Sequence, residues 1–245
     1  MGNYFTSSNK ASPPLEDYPY LWAIRDQEVL DWKINLPIEV INKMAREQTN
    51  LPVPIGKPDT RLFLGDAKCA RNIDHLNKLN IKCIINVAGE ASKNYDLDRE
   101  YLGNGINILR LDAEDEEGYP MLQLHLETVK DQINWWAANK SENCNILIHC
   151  TAGINRSGLL VAALLLEKEK MTVLDCVKHI RSRRGNCFLW NHSFQEQLVA
   201  HARKLDLLGE PLDNTPTNGN WPKGMFPTLV EKEDIKKRRD VSKLF

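Results

Sequence analysis

His149-Cys150-Thr151-Ala152-Gly153-Ile154-Asn155-Arg156-Ser157-Gly158 is the stretch that organises this chain of 245 residues. Before it, Asn145-Ile146-Leu147-Ile148 is an apolar run of strand length. After it, Gly158 to Glu167 (GLLVAALLLE) has the length and composition of a buried helix. A tight loop between a strand and a helix N-terminus gathers backbone N–H groups into one concavity, and the helix dipole adds to their pull on an anion. The predicted local structure is therefore an anion cradle.

Cys150 makes this cradle reactive. A helix N-terminus and a neighbouring guanidinium both favour the thiolate, which is the nucleophilic form of cysteine. Arg156 supplies a planar fork that matches two oxygens of a phosphate, which a lysine cannot do. Ser157 can donate a hydrogen bond to the thiolate and help it leave a covalent intermediate. His149, beside the nucleophile, is placed to orient the loop rather than to act as a base. An inert buried cysteine with a surface arginine is the alternative, and the strand-before, helix-after context argues against it.

The His-Cys-x5-Arg-Ser arrangement resembles the signature of the cysteine-dependent protein tyrosine phosphatases. Ala152-Gly153 and Ser157-Gly158 resemble the dual-specificity branch. The resemblance runs from near Thr60 to near Leu205. Arg61-Leu-Phe-Leu-Gly65 is similar to the family's opening strand, and Ile81 to Ala88 (IKCIINVA) to its second. Arg184, Asn191, Phe194, Gln197 and Leu198 resemble its closing pattern, in which the Asn braces the catalytic loop. That role falls on Asn191 here. Trp190 and Ser193 stand where the pattern has Pro and Gly, so the closing helix is expected to start differently.

The resemblance implies an acid on a loop after a strand, because the leaving oxygen needs a proton. Ile106 to Leu111 (INILRL) is the expected strand, and Asp112 follows it. Asp115 is the second choice in an acid-rich stretch, Asp112 to Gly118 (DAEDEEG), that looks longer than is usual for the family. The implied reaction has Cys150 attack phosphorus while Asp112 protonates the leaving oxygen. Thr151, Ala152, Gly153, Ile154, Asn155 and Arg156 hold the phosphoryl group. No cofactor or metal is expected, since the His and Cys residues form no C-x2-C pair and no H-x3-H.

Alternating apolar runs predict strands near 61–65, 81–88, 105–111 and 145–149. Helices are predicted near 70–80, 122–138, 157–169, 172–184 and 191–207. This is an α/β pattern with a mostly parallel central sheet flanked by helices, and the resemblance implies that it is protein tyrosine phosphatase-like, of the dual-specificity type. The expected organisation is an N-terminal extension (1–59) packing on the core, a catalytic domain (60–207), and an extended tail (208–245) with a basic patch at Lys236-Lys237-Arg238-Arg239. Trp22, Ile24, Val29, Leu30, Trp32 and Ile34 mark the extension as helical or irregular packing, and Pro52, Pro54 and Pro58 mark its join to the domain.

A net charge of −1 offers no general attraction to nucleic acid. Scattered cysteines and the lack of a secretory pattern suggest reduced thiols and a cytoplasmic setting, and the basic run leaves nuclear import open. Met1-Gly2-Asn3-Tyr4-Phe5-Thr6-Ser7 fits an N-myristoylation pattern centred on Gly2, and one acyl chain alone implies weak membrane association. Thr151, Ala152, Ile154 and Asn155 carry no charge to meet extra phosphates. The expected partners are therefore phosphoprotein substrates, with protein kinases among the candidates, bearing phosphotyrosine and phosphoserine or phosphothreonine. Phosphoinositide hydrolysis, RNA 5′-triphosphatase activity and a weakly active phosphoprotein-binding scaffold are the alternatives. Nothing in the sequence sets the oligomeric state.

Overall fold

The computed structural model describes residues 12–33, 51–56, 61–89, 95–139, 145–185 and 188–212, with backbone only for 26–33. Gly2, the basic run 236–239, Cys144 and Cys187 lie outside the described residues.

Five strands form one sheet: β1 (Val53–Ile55), β2 (Leu62–Gly65), β3 (Ile81–Asn86), β4 (Asn107–Arg110) and β5 (Asn145–His149). Their order is β1-β2-β5-β3-β4, with β1 antiparallel to β2 and the other pairings parallel. Strand β5 is central, and its last four residues are buried because helices cover both faces of the sheet. The period-two alternation of strand side chains divides the core between those faces. Leu62, Leu64, Cys83, Ile85, Ile146 and Ile148 enter the larger apolar layer, while Phe63, Ile84 and Leu147 enter the smaller one.

Helices α1 (Tyr18–Lys33), α2 (Ala67–Arg71), α3 (Ile73–Lys78), α4 (Tyr95–Gly103), α5 (Met121–Asn139), α6 (Arg156–Glu169), α7 (Val173–Arg184) and α8 (His192–Lys204) surround the sheet. Helix α6 is buried continuously from Ser157 to Leu166, which explains its lack of a polar face. Helices α5, α7 and α8 pack around it.

The single helix expected over 70–80 is two helices. Asp66 caps α2 through the Cys69 amide, and Asn72, at φ −90° and ψ 80°, caps α3 through the His75 amide. A short Asx side chain offers the backbone a competing acceptor, and here it breaks the helix in two. Helix α4 was not expected. It buries Tyr101, whose hydroxyl donates to the Ala70 carbonyl at 2.6 Å. The Pro-rich join contains β1, an edge strand that tolerates Pro54 because an edge residue need not donate to a second neighbour. Helix α1 packs on α7 and α8. Cys69 and Cys176 are core thiols, and burial pushes each up to about 12.

Candidate active site

The loop after β5 is built from below. The carbonyl of Thr151 accepts from the Ala67 amide at 3.2 Å, at the start of α2. The carbonyls of Ala152 and Gly153 accept from Arg184 Nη2 and Nε, both at 3.2 Å. The carbonyl of Ile154 accepts from the Leu189 amide at 3.3 Å. In a trans peptide the N–H points opposite the C=O, so pulling these carbonyls outward turns the amides of 152 to 155 into the loop. Arg184 is 1% exposed, its charge spent inside the protein on shaping this turn.

Gly153 adopts φ +69°, and a Cβ there would lie 2.3 Å from the Gly65 carbonyl oxygen and 2.4 Å from Arg184 Nη2. Only glycine fits. Its amide donates to Cys150 Sγ at 3.2 Å, and Ser157 Oγ donates to the same sulfur at 3.2 Å. Cys150 is 1% exposed, at the floor of the loop and below the N-terminus of α6. Two donors are thus aimed at the one sulfur.

His149 is buried, with Nδ1 3.2 Å from the Cys150 carbonyl oxygen. Burial pushes its imidazole down to about 4, so the ring is neutral at physiological pH.

Arg156 lies over the loop. Nη1 donates to the Ala113 carbonyl and Nη2 to Thr151 Oγ1, each at 3.0 Å, while Nε is buried with no partner among the described residues. Arg156 thus touches both its own loop and the loop after β4.

That second loop, from Asp112 to Pro120, is held from the side. Asp115 accepts from Asn191 Nδ2 on one oxygen and from Asn155 Nδ2 on the other, both at 3.2 Å. Glu117 accepts from the His192 and Ser193 amides at 3.1 Å, placing a carboxylate on the N-terminus of α8, where the helix dipole favours it. The Gly118 amide donates to Ser193 Oγ at 2.9 Å, and that hydroxyl donates to Asn191 Oδ1 at 2.9 Å. Gln197 closes the series, accepting from the Leu122 amide and donating to the Tyr119 carbonyl.

Asn191 caps α8 by accepting from the Ser193 and Phe194 amides, and its own amide donates to Asn155 Oδ1 at 3.1 Å. Its side chain reaches the acid-bearing loop, while its backbone reaches the cradle. Trp190 at the Pro position keeps an amide that proline lacks, and that amide also donates to Asn155 Oδ1, at 2.8 Å. Ser193 at the Gly position supplies the hydroxyl that ties down Gly118. The helix nonetheless starts right after Asn191.

Asp112 leaves β4 two residues after Arg110 and is exposed. Its carboxylate lies over Gly89, at φ +84°, where a Cβ would come within 3.0 Å of Oδ1. Tyr119 Oη donates to the Asp112 carbonyl at 3.2 Å and lies 2.6 Å from His125 Nε2. The structure therefore brings Cys150, Arg156, Asp112, Asp115, Asn155 and Asn191 to one end of the sheet. The roles of Arg184 beneath the loop and of Glu117 on α8 could not be read from sequence. Arg184 was visible there only as part of a pattern, and Glu117 had no signal beyond its acidic neighbours.

Comparison with known proteins agrees with this geometry. The sequence model of the dual specificity phosphatase catalytic domain matches residues 62–204. Human dual specificity protein phosphatase 26 is 32% identical over 144 residues, covering 59% of this chain and 65% of that protein. Human dual specificity protein phosphatase 7 is 30% identical over 199 residues, covering 75% of this chain and 44% of that protein. The chain thus spans less than two thirds of the length of these relatives. Among solved structures, human DUSP28 shares the fold with a TM-score of 0.52 at 20% identity, covering 63% of this chain and 95% of that one. A human tyrosine phosphatase-like serine/threonine/tyrosine-interacting protein gives a TM-score of 0.51 at 22% identity, covering 64% and 98%. With the family's catalytic domain matched over most of the sheet and its helices, the chain belongs to the dual-specificity phosphatases.

Proposed function

We propose that this chain hydrolyses phosphate monoesters on proteins, at phosphotyrosine and phosphoserine or phosphothreonine, through a cysteinyl-phosphate. The observation that carries this reading is Cys150 Sγ, which accepts from Gly153 and Ser157 at the floor of a loop whose carbonyls are turned away. The sulfur attacks phosphorus and forms the S–P bond as the P–O bond to the leaving group breaks. Asp112 gives its proton to the departing oxygen. Asp115 is the weaker candidate, because both of its oxygens already accept from framework amides. Asp112 then takes a proton from water, the new oxygen bonds to phosphorus, and the S–P bond breaks. The Ser157 hydroxyl stabilises the departing thiolate. The inward amides and the Nε–Nη2 edge of Arg156 meet the equatorial oxygens, where preorganised donors act most strongly.

The uncharged loop positions 151, 152, 154 and 155 favour phosphoproteins, phosphorylated kinases among them, over inositol lipids carrying several phosphates. A protein named as phosphatase-like and interacting shares the fold, so fold alone does not separate turnover from binding. Assays of the chain and its Cys150→Ser variant on an aryl phosphate and on phosphopeptides make the separation. Cys150-dependent release is expected, and equal background rates for the two proteins would leave the binding-scaffold reading. Faster release from phosphoinositides or RNA 5′-triphosphates than from phosphopeptides would move the substrate class. For the termini, we propose that Gly2 is myristoylated and gives the protein a weakly membrane-associated cytoplasmic population. Intact mass after eukaryotic expression tests this, and an unacylated Gly2 would end it.

A further inference from the structure

Helix α1 lies outside the span of the family's catalytic domain, yet it reaches the phosphate loop through buried polar groups. Arg25 is 3% exposed, and its Nε donates to Gln195 Oε1 at 2.8 Å. Gln195 is fully buried on α8, and its Nε2 donates to the Leu189 carbonyl at 2.7 Å. Leu189 holds φ +63°, a left-handed conformation costly for a leucine, and its amide donates to the Ile154 carbonyl in the cradle. A second route runs parallel. The Ile24 carbonyl accepts from Arg181 Nη1 at 2.9 Å, and Arg181 Nη2 donates to the Phe188 carbonyl at 3.4 Å. Phe188 packs against Gly158, where a Cβ would meet its ring at 2.7 Å.

The order of donors and acceptors gives the first route a direction. Arg25 can only donate and a carbonyl can only accept, so the Gln195 amide has one orientation that serves both. Without Arg25 the Gln195 oxygen loses this donor, and the side chain is held against the Leu189 carbonyl less firmly. We propose that Arg25 is a positioning residue for the phosphate cradle, acting through Gln195 and the strained Leu189, so that the N-terminal helix sets how tightly the loop holds an oxyanion. This rests on the reading of the loop as a phosphate site.

The test compares two ways of loosening the N-terminal segment in the full chain. Arg25→Gln and Gln195→Glu cut the relay, and the second puts a carboxylate opposite the Leu189 carbonyl while keeping an acceptor for Arg25. Arg203→Leu cuts a different anchor, the pair that Arg203 Nε makes with Asp17 at 2.9 Å. Inorganic phosphate binding is measured by calorimetry, which needs no turnover, alongside thermal unfolding and KM and kcat on an aryl phosphate. The relay variants are expected to weaken phosphate binding and raise KM by about five- to tenfold. Arg203→Leu is expected to lower the unfolding temperature with phosphate affinity unchanged. Phosphate affinity within twofold of the unaltered chain in both relay variants would overturn the proposal, as would an equal loss in Arg203→Leu. An unaltered chain that binds phosphate without turning substrate over would sink the catalytic reading while the relay is still measured. A chain with no phosphate binding would sink both.

Discussion

Two loops meet at Asn155 and Arg156, and they are held by different physics. The loop after β5 rests on buried groups: Arg184 beneath it, Gly65 against Gly153, and an apolar strand and helix on either side. The loop after β4 is exposed from Glu114 to Gly118, and polar contacts with α8 across about 75 positions of sequence hold it. Burial gives the first loop one shape, because its alternatives leave unsatisfied carbonyls and a stranded guanidinium. The second loop is fastened by contacts that water can replace singly. Cys150 thus has a rigid seat, and the loop that follows Asp112 is a part that can be loosened without unfolding the protein.

The largest expected effects fall on the rigid side. Arg156→Lys keeps the charge but loses the planar fork, and kcat on an aryl phosphate should fall by roughly 10²- to 10³-fold, as for loss of a transition-state donor. A fall below threefold would show that the fork is not what holds the phosphoryl group. Gly153→Ala places a methyl group inside the Gly65 carbonyl and the Arg184 guanidinium at a left-handed φ. It should cost about 3 kcal/mol of stability in denaturant unfolding, the range for strain plus a broken buried network.

Smaller effects belong to the fastened loop. Glu117→Gln removes a carboxylate from the N-terminus of α8 and should cost only about 1 kcal/mol. Its kinetic signature should be selective. kcat should fall on a poor leaving group, which needs its proton, and hold on a good one, which does not. Uniform loss on both substrates would contradict the division between the two loops.

Acid offers a milder probe of the seat itself. Burial lowers His149 to about 4, so the unfolded chain binds a proton that the folded chain refuses. Stability should therefore decline as pH falls from about 6.5 toward about 4, with His125, His179 and His201, also lowered by burial, sharing the slope. His149→Asn should flatten part of that decline in unfolding curves taken across the window. An unchanged slope would mean that His149 is protonated in the folded chain.

This contrast also explains which parts were legible in the sequence. β5 and α6 show themselves because a doubly covered strand and a fully buried helix must be apolar along their length. Asn72 went unread as a second cap because its neighbours kept a helical pattern. Helix α4 exposes Leu102 at 78% and Tyr95 at 76%, which blurs the stripe that would have marked it. Cys150 and Arg156 stood out through spacing, and Asp112 through the family resemblance. The fastening of Asp115 and Glu117 did not, since a carboxylate bound to a distant helix cap is spelled no differently from a solvated one. Trp190 and Ser193 looked like departures that would disturb α8. Their amide and hydroxyl instead supply contacts that proline and glycine have no atoms to make.

Asn155 gives the pair of loops a common anchor. Its carbonyl oxygen accepts the amides of Trp190 and Asn191, and its NH2 donates to Asp115. Cradle, α8 cap and acid loop thus share one planar amide whose orientation cannot reverse without losing all three bonds. Asn155 is therefore the point at which the buried loop and the polar-fastened loop are joined, and its loss would release both from α8 together.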